Sequence, residues 1–331
     1  NTALAGRNAV QAIKAGQGDA NGKVTSTNLD GTTETREANA ADQAGGVNLS
    51  ISIGGSQSKS KTVQNSSTAQ GSSVSAGRDI NINATGAGQD SDLTVQGSTL
   101  TAGRDIRLKA DNDIKLLAAQ STSDQKSTNS SISASVGLSI GTSGFGVTVS
   151  ASGARGKADG NDVTQSNTEV VAGNRINLTS GQDTTFKGAV ASAEQVTAKV
   201  GRNLDIESLQ DTSKFASKQQ SIGASVTIGA GAGGSFSASK STVKSDFASV
   251  AQQSGIRAGD GGFDVQITGN TDLKGGAITS TQAAVDQNLN RFETGTLSLS
   301  DIQNKASFNA KAIGVSAGTG ANNLGGALKP S

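Results

Sequence analysis

Along much of the chain, apolar residues recur at every second position in short runs, and a glycine introduces each run. The sharpest case is a box of small residue, Gly, Arg or Asn, polar, apolar, polar, apolar. It reads Ala76-Gly77-Arg78-Asp79-Ile80-Asn81-Ile82 and again Ala102-Gly103-Arg104-Asp105-Ile106-Arg107-Leu108. Related boxes are Ala172-Gly173-Asn174-Arg175-Ile176-Asn177-Leu178 and Val200-Gly201-Arg202-Asn203-Leu204-Asp205-Ile206, with looser copies at Gly259 and Gly269. A period of two predicts strands with one apolar face. Runs such as 92–100 and 195–200 carry the same alternation and suit an opposite wall. From Gly77 to Gly103 and from Gly181 to Gly201 the repeat is roughly 20 to 26 residues, the length of one turn of a parallel β-solenoid. About ten such coils, stacked ~4.8 Å apart, predict a rod on the order of 50 Å.

A longer repeat lies over the short one. Three segments open on an alternating strand, meet a glycine-rich turn, return through Ser- and Lys-rich sequence, and end at a Gly box. They start at Gly46, Ile132 and Ser221, with turns at Gly54-Gly55, Gly141 to Gly144, and Gly229 to Gly234. This pattern predicts three long β-hairpins projecting from the solenoid. The expected fold class is therefore all-β: a right-handed parallel β-helix (solenoid) with protruding antiparallel β-hairpins. Residues 1–45 read as a short helix (3–15) and a flexible polar connector. Residues 46–313 read as a β-helix of three repeat units, about 46–75, 76–171 and 172–280, with a final segment 281–313. A second short helical segment is expected at 281–292, from the spacing of Ala284, Val285, Leu289 and Phe292. Residues 314–331 read as a flexible tail.

Composition narrows the function. Hydrophobic residues make up only 33% of the 331 and aromatics 2%, with no Trp or Tyr. That is too little bulk for a thick globular core, but enough for a slim aliphatic one. A single Pro and a net charge of +1 argue against disorder. Cys and His are absent, which removes thiolate chemistry and the commonest general base. The near-neutral balance gives no footprint for nucleic acid, and no cofactor or metal is expected. No run approaches the ~20 apolar residues of a membrane-spanning helix. The chain opens Asn1-Thr2-Ala3-Leu4 without Met, so it is expected to be cut from a longer protein.

Boxes and hairpins together resemble the haemagglutinin-repeat region of filamentous haemagglutinin-type exoproteins of two-partner secretion, above all the contact-dependent growth inhibition toxins. The residues that carry the resemblance are Ser75-Ala76-Gly77-Arg78-Asp79-Ile80, the stretches 113–122 and 200–211, and Ser254-Gly255-Ile256-Arg257-Ala258-Gly259, within roughly residues 46 to 313. The resemblance implies a stalk segment of a protein secreted to the bacterial cell surface, which presents a C-terminal toxin and helps it cross a neighbour's outer membrane. It implies three partners: an outer-membrane exporter, engaged through a part outside these residues, a target-cell outer membrane or surface receptor, and the toxin in the same chain. The alternative is an adhesive filament segment that binds host or neighbouring cells.

Three kinds of chemistry compete for the polar residues. Asp79, Asp105, Asp113 and Asp183 recur at corners, where they fit either a calcium ladder or ordinary turn chemistry with Asp capping backbone N–H groups; the turn reading is favoured. Arg78, Arg104 and Arg202 fit an acidic glycan or simple pairing with neighbouring carboxylates, and again the second is favoured. Enzymatic activity is not expected, since the scarcity of aromatics leaves no platform for stacking sugars. The hairpins carry the site hypothesis. Ile132, Val136, Leu138 and Ile140 share one strand face, Phe145, Val147 and Val149 repeat the pattern on the return, and Ile222, Val226 and Ile228 repeat it in the third hairpin. Such dyad alternation over ~9 to 11 residues is what a membrane strand requires. The competing reading packs these faces on the solenoid flank or on each other.

Overall fold

The computed structural model describes residues 23–27, 33–37, 49–141, 144–229 and 232–319. The chain is all-β. β1 (Lys23–Thr27) and β2 (Thr33–Glu37) pair antiparallel as an isolated two-stranded sheet, followed by the long strand β3 (Leu49–Ser67). The chain then makes passes of three short strands each. The first pass is β4 (Ser73–Ala76), β5 (Ile80–Ala84) and β6 (Leu93–Gln96); the second is β7 (Thr99–Ala102), β8 (Asp105–Ala110) and β9 (Ile114–Leu117). Two long strands intervene, β10 (Ala119–Gly141) and β11 (Gly144–Ser166). The next two passes are β12 (Thr168–Ala172), β13 (Arg175–Ser180), β14 (Thr184–Lys187) and β15 (Ala189–Ala193), β16 (Gln195–Val200), β17 (Leu204–Glu207). A second long pair follows, β18 (Gln210–Gly229) and β19 (Gly233–Val250). The last two passes are β20 (Gly255–Ala258), β21 (Phe263–Ile267), β22 (Asn270–Lys274) and β23 (Ala277–Thr279), β24 (Arg291–Glu293), β25 (Thr296–Ser300), and the chain leaves by the long strand β26 (Lys305–Thr319).

Each pass lays one strand in each of three six-stranded parallel sheets, β4-β7-β12-β15-β20-β23, β5-β8-β13-β16-β21-β24 and β6-β9-β14-β17-β22-β25. Alternation in the sequence becomes register between passes. Ile80, Ile106, Ile176, Val196 and Phe263 stand opposite one another, and so do Val95, Leu116, Phe186, Ile206 and Leu273. Inward residues of all three sheets form one buried cluster, in which Phe186 is the largest fully buried side chain. Glycine is required at the corners because the passes nearly touch there. A Cβ on Gly103 would lie 2.3 Å from the Gly77 carbonyl oxygen, and one on Gly173 would lie 2.4 Å from that of Gly103.

The long strands form a separate six-stranded sheet, ordered β3-β10-β11-β18-β19-β26, an up-and-down meander in sequence order. The chain therefore repeats a plan: long strand in, two passes, long strand out. β3 and β10 flank the first two passes, β11 and β18 the next two, β19 and β26 the last two. This phase differs from the division drawn at the Gly boxes. One residue joins β9 to β10 (Ala118) and one joins β11 to β12 (Asn167), so the meander is tied directly to the passes. At that junction the Thr168 hydroxyl donates to the Leu117 carbonyl at 2.6 Å, and the Asn167 amide donates to Gln252 Oε1 at 3.1 Å.

Several expectations require correction. The first hairpin is not a hairpin, because β3 runs straight through Gly54-Gly55. Gly54 marks a close approach rather than a turn, since its Cβ would come 2.6 Å from that of Ser135 on β10. Among the described residues there are six passes rather than about ten, because residues counted as coil are spent in the six long strands. Five steps of ~4.8 Å give a stack of about 24 Å. The stretch read as a connector contains β1 and β2, and the supposed tail is strand as far as Thr319. The second helical segment is one short helix, α1 (Gln282–Asp286), capped by Thr281, which accepts the Ala284 N–H at 3.4 Å. It ends early because Asn288 takes a positive φ of 53°, and Phe292 belongs to β24, packed against the core. The helix expected at 3–15, residues 142–143 and 230–231, and residues 320–331 lie outside the described residues.

Candidate functional site

The corner chemistry takes the structural form. Aspartates and asparagines of one corner accept the backbone N–H of the next: Asp113 N–H reaches Asp92 at 3.2 Å, Asp183 N–H reaches Asp113 at 3.1 Å, Asn203 N–H reaches Asp183 at 3.0 Å, and Asn270 N–H reaches Asn203 at 3.0 Å. Arg104 bridges to Asp79, with Nε at 2.9 Å, and Arg202 bridges to Asp183, with Nε at 2.8 Å. These guanidinium hydrogen bonds hold the carboxyls of Asp79 and Asp183 below the usual carboxylate range. Among the described residues no group of three or more acidic side chains is placed to hold a metal ion. Two opposed Asp residues do lie across β17 and β22: Asp205 is pushed upward, first by burial and then by the charges of Asp183 and Asp272.

The meander is where the chain departs from the repeated three-strand passes. Its strands pair without a bulge from β3 to β26, so directly opposed residues share a face. Val136 stands between Ile53 and Val149, and Val149 is followed by Val226. Leu138 stands between Ile51 and Val147, and Val147 is followed by Ile228. Ile132 is opposite Gly153, which is opposite Ile222, Ala238 and Val315 in turn. Nine of the ten residues singled out from sequence thus fall on one face of one sheet. Ile140 is paired through its backbone with Phe145, and its side chain lies outside what is described.

This face is open. Ile132 is 70% exposed, Val136 50%, Val149 52%, Ile222 56% and Ile228 68%, while Phe145 and Val226 are also exposed and Leu138 and Val147 half-buried. These residues lie beside one another across the strands, and their outward sides stay uncovered among the described residues. The sheet also adds apolar residues to the same face that the sequence reading does not place in the site: Ile53, Phe236, Val315 and Ile313. The alternation around Ile313 and Val315 is the signal in the sequence that could have found the last two. In these outer rows the opposite face is lined by hydroxyls that meet across the strands, whereas nearer the passes it carries the exposed Phe215, Phe247 and Phe308. Ser133 and Ser152 are 2.7 Å apart, Ser135 and Ser150 2.6 Å, Ser225 and Ser235 2.7 Å, and Thr148 and Thr227 2.8 Å.

Comparison with known proteins follows the same pattern. The family described as Hemagglutinin repeat matches residues 53–222, a span that takes in both kinds of sheet. The chain belongs to this family. Among curated proteins, relatives include Toxin CdiA of Escherichia coli, 40% identical over 84% of this chain and 9% of that protein. Deoxyribonuclease CdiA of Dickeya dadantii is 38% identical over 81% of the chain and 8% of its own length. The 16S rRNA endonuclease CdiA of Enterobacter cloacae is 40% identical over 83% and 8%. The chain thus spans less than a tenth of the length of these relatives. No solved structure matches it.

Proposed function

We propose that this hemagglutinin-repeat chain is a structural segment of a secreted, cell-surface exoprotein of the toxin-delivery type, and that its antiparallel sheet engages the membrane of a neighbouring cell. The passes are read as a right-handed parallel β-solenoid that serves as stalk. Three parallel ladders visited in the same order on every pass, around one shared core, support that reading, and parallel crossovers are right-handed in nearly all known sheets. Export through an outer-membrane partner and a toxin further along the polypeptide belong to the same proposal. The relatives carry the names of different nucleases yet share this region at similar identity, which supports a role common to all of them and separate from any nuclease chemistry. The corner carboxylates support a mechanical role too, since backbone N–H groups and arginines occupy them.

The single observation that carries the membrane reading is the one-sided apolar face of the meander. Soluble proteins rarely leave so much contiguous apolar surface open without a partner for it. The test is Val136→Asp with Leu138→Asp in the full exoprotein. Surface display is expected to persist while delivery of the toxin, read as growth inhibition of target cells, is lost. Delivery at the unsubstituted level, from a chain shown to be folded and displayed, would sink the membrane reading.

A further inference from the structure

The register that gathers the apolar residues also gathers charge. Moving from Ile132 toward the solenoid, the next row on the same face is Lys59, Ser130, Arg155, Gln220, Lys240 and Ile313. The row after it is Lys61, Thr128, Lys157, Lys218, Thr242 and Lys311. Seven cations stand in two rows about 7 Å apart, all of them exposed, and no carboxylate shares either row. Among the described residues none of the seven makes an ion pair, whereas Lys305 nearer the base does, with Asp246 at 2.7 Å. Lys157 and Lys218 are directly opposite one another, an arrangement that costs stability in a sheet unless an anion lies between or above them. The cations Lys59, Lys61, Arg155, Lys157 and Lys218 line one shallow groove. The reverse face has no charged residue in any row from the one holding Gln125 to the one holding Ser139.

We infer that this two-row cationic collar is a docking surface for the phosphate groups of an anionic lipid leaflet, and that it sets the orientation of the sheet on the membrane. The inference rests on the membrane reading above and specifies the lipid chemistry. Apolar residues beside cations on one face, with hydroxyls behind the apolar rows on the other, are the layout of an element lying in the interfacial plane. In that plane the apolar rows enter the acyl boundary and the lysines reach to the phosphates. Among the described residues β3 and β26 are open edges of the sheet, and unpaired N–H and C=O groups along such edges oppose burial in hydrocarbon. The sheet in this form therefore lies on a leaflet rather than crossing it. Charge complementarity selects the occupant: a zwitterionic leaflet offers the apolar rows the same purchase but gives the collar no net charge to bind.

The test is binding of the 331-residue chain to vesicles, read by flotation. One set is phosphatidylcholine alone and the other contains phosphatidylglycerol. Preference for the anionic set is expected, and it weakens as salt rises. The triple variant Lys61→Gln, Lys157→Gln, Lys218→Gln is expected to bind anionic vesicles about 100-fold more weakly, from about one factor of five per lysine near a charged surface. The matching triple Lys→Arg variant is expected to retain binding, which separates charge from folding. Equal binding of the Gln variant and the unsubstituted chain to anionic vesicles overturns the collar and leaves the membrane reading standing. Failure of the unsubstituted chain to bind either set overturns both. Displacement from vesicles by inorganic phosphate at equal phosphate concentration would assign the collar to a soluble anion and also overturn the inference.

Discussion

Phe186 offers the most direct measure of how the passes hold together. It is fully buried on the third pass, with Leu116 of the second pass and Ile206 of the fourth as its ladder partners. Those neighbours are fixed by backbone hydrogen bonds on both sides, so they have little freedom to collapse into a void. Phe186→Ala is therefore expected to cost about 3 to 5 kcal/mol, the range for deleting a buried ring with partial relaxation. Val136→Ala gives the contrast on the meander. Val136 is 50% exposed, and losing two methyl groups, each worth about 0.8 kcal/mol when buried and half that at this position, is expected to cost about 0.8 kcal/mol. The chain has no Trp or Tyr to report by fluorescence, so urea unfolding followed by far-UV circular dichroism is the assay. Stacked arrays unfold in part by segments. Hydrogen exchange of β13, β14, β16 and β17 should therefore show loss of protection centred on Phe186. If the two substitutions cost the same, the slim interior is not what stabilises the stack, and burial of the inward rows does not explain why the passes stay together.

Three further outcomes follow from the corners and the edge. Gly103→Val places a side chain against the Gly77 carbonyl and is expected to destabilise by about 1 to 3 kcal/mol, the usual cost of overpacking; a melting point unchanged from the parent would show that the corners have slack. Asp183 is held below its ordinary value by the Arg202 hydrogen bond, so its folded pKa lies under the unfolded value of about 3.9. Its contribution is then complete above about pH 4 and disappears as pH falls through the folded value. Thermal midpoints should decline below that pH, and Asp183→Asn should lower the midpoint at neutral pH while reducing the acid dependence. Lys305→Gln removes the 2.7 Å pair that fastens β26 to Asp246 of β19; faster amide exchange confined to β26 is expected, and uniform protection across the meander would contradict it.

How much was legible in the sequence depended on the range of the interaction involved. Alternation is a local property, fixed by backbone geometry within a strand, so the inward residues from Ile80 to Val265 and the glycine corners were readable directly. So were the pairings of β10 with β11 and of β18 with β19, whose partners are neighbours in sequence. That the apolar hairpin residues share a face was legible for the same reason, because one face of a strand is determined by parity alone.

What the sequence did not determine was which strand meets which. Thr62 and Ser127 are hydrogen-bonded at 3.2 Å across 65 residues of chain, and nothing local announces that pairing. Gly54 therefore resembles a turn when it marks close contact with β10, and the run ending at Thr319 resembles a tail because its partner, β19, lies more than 50 residues earlier in the chain. Individual apolar and cationic residues are visible one by one. Their assembly into a single open face with a basic border came only from the meander, because register across six strands sets side chains from distant segments about 5 Å apart.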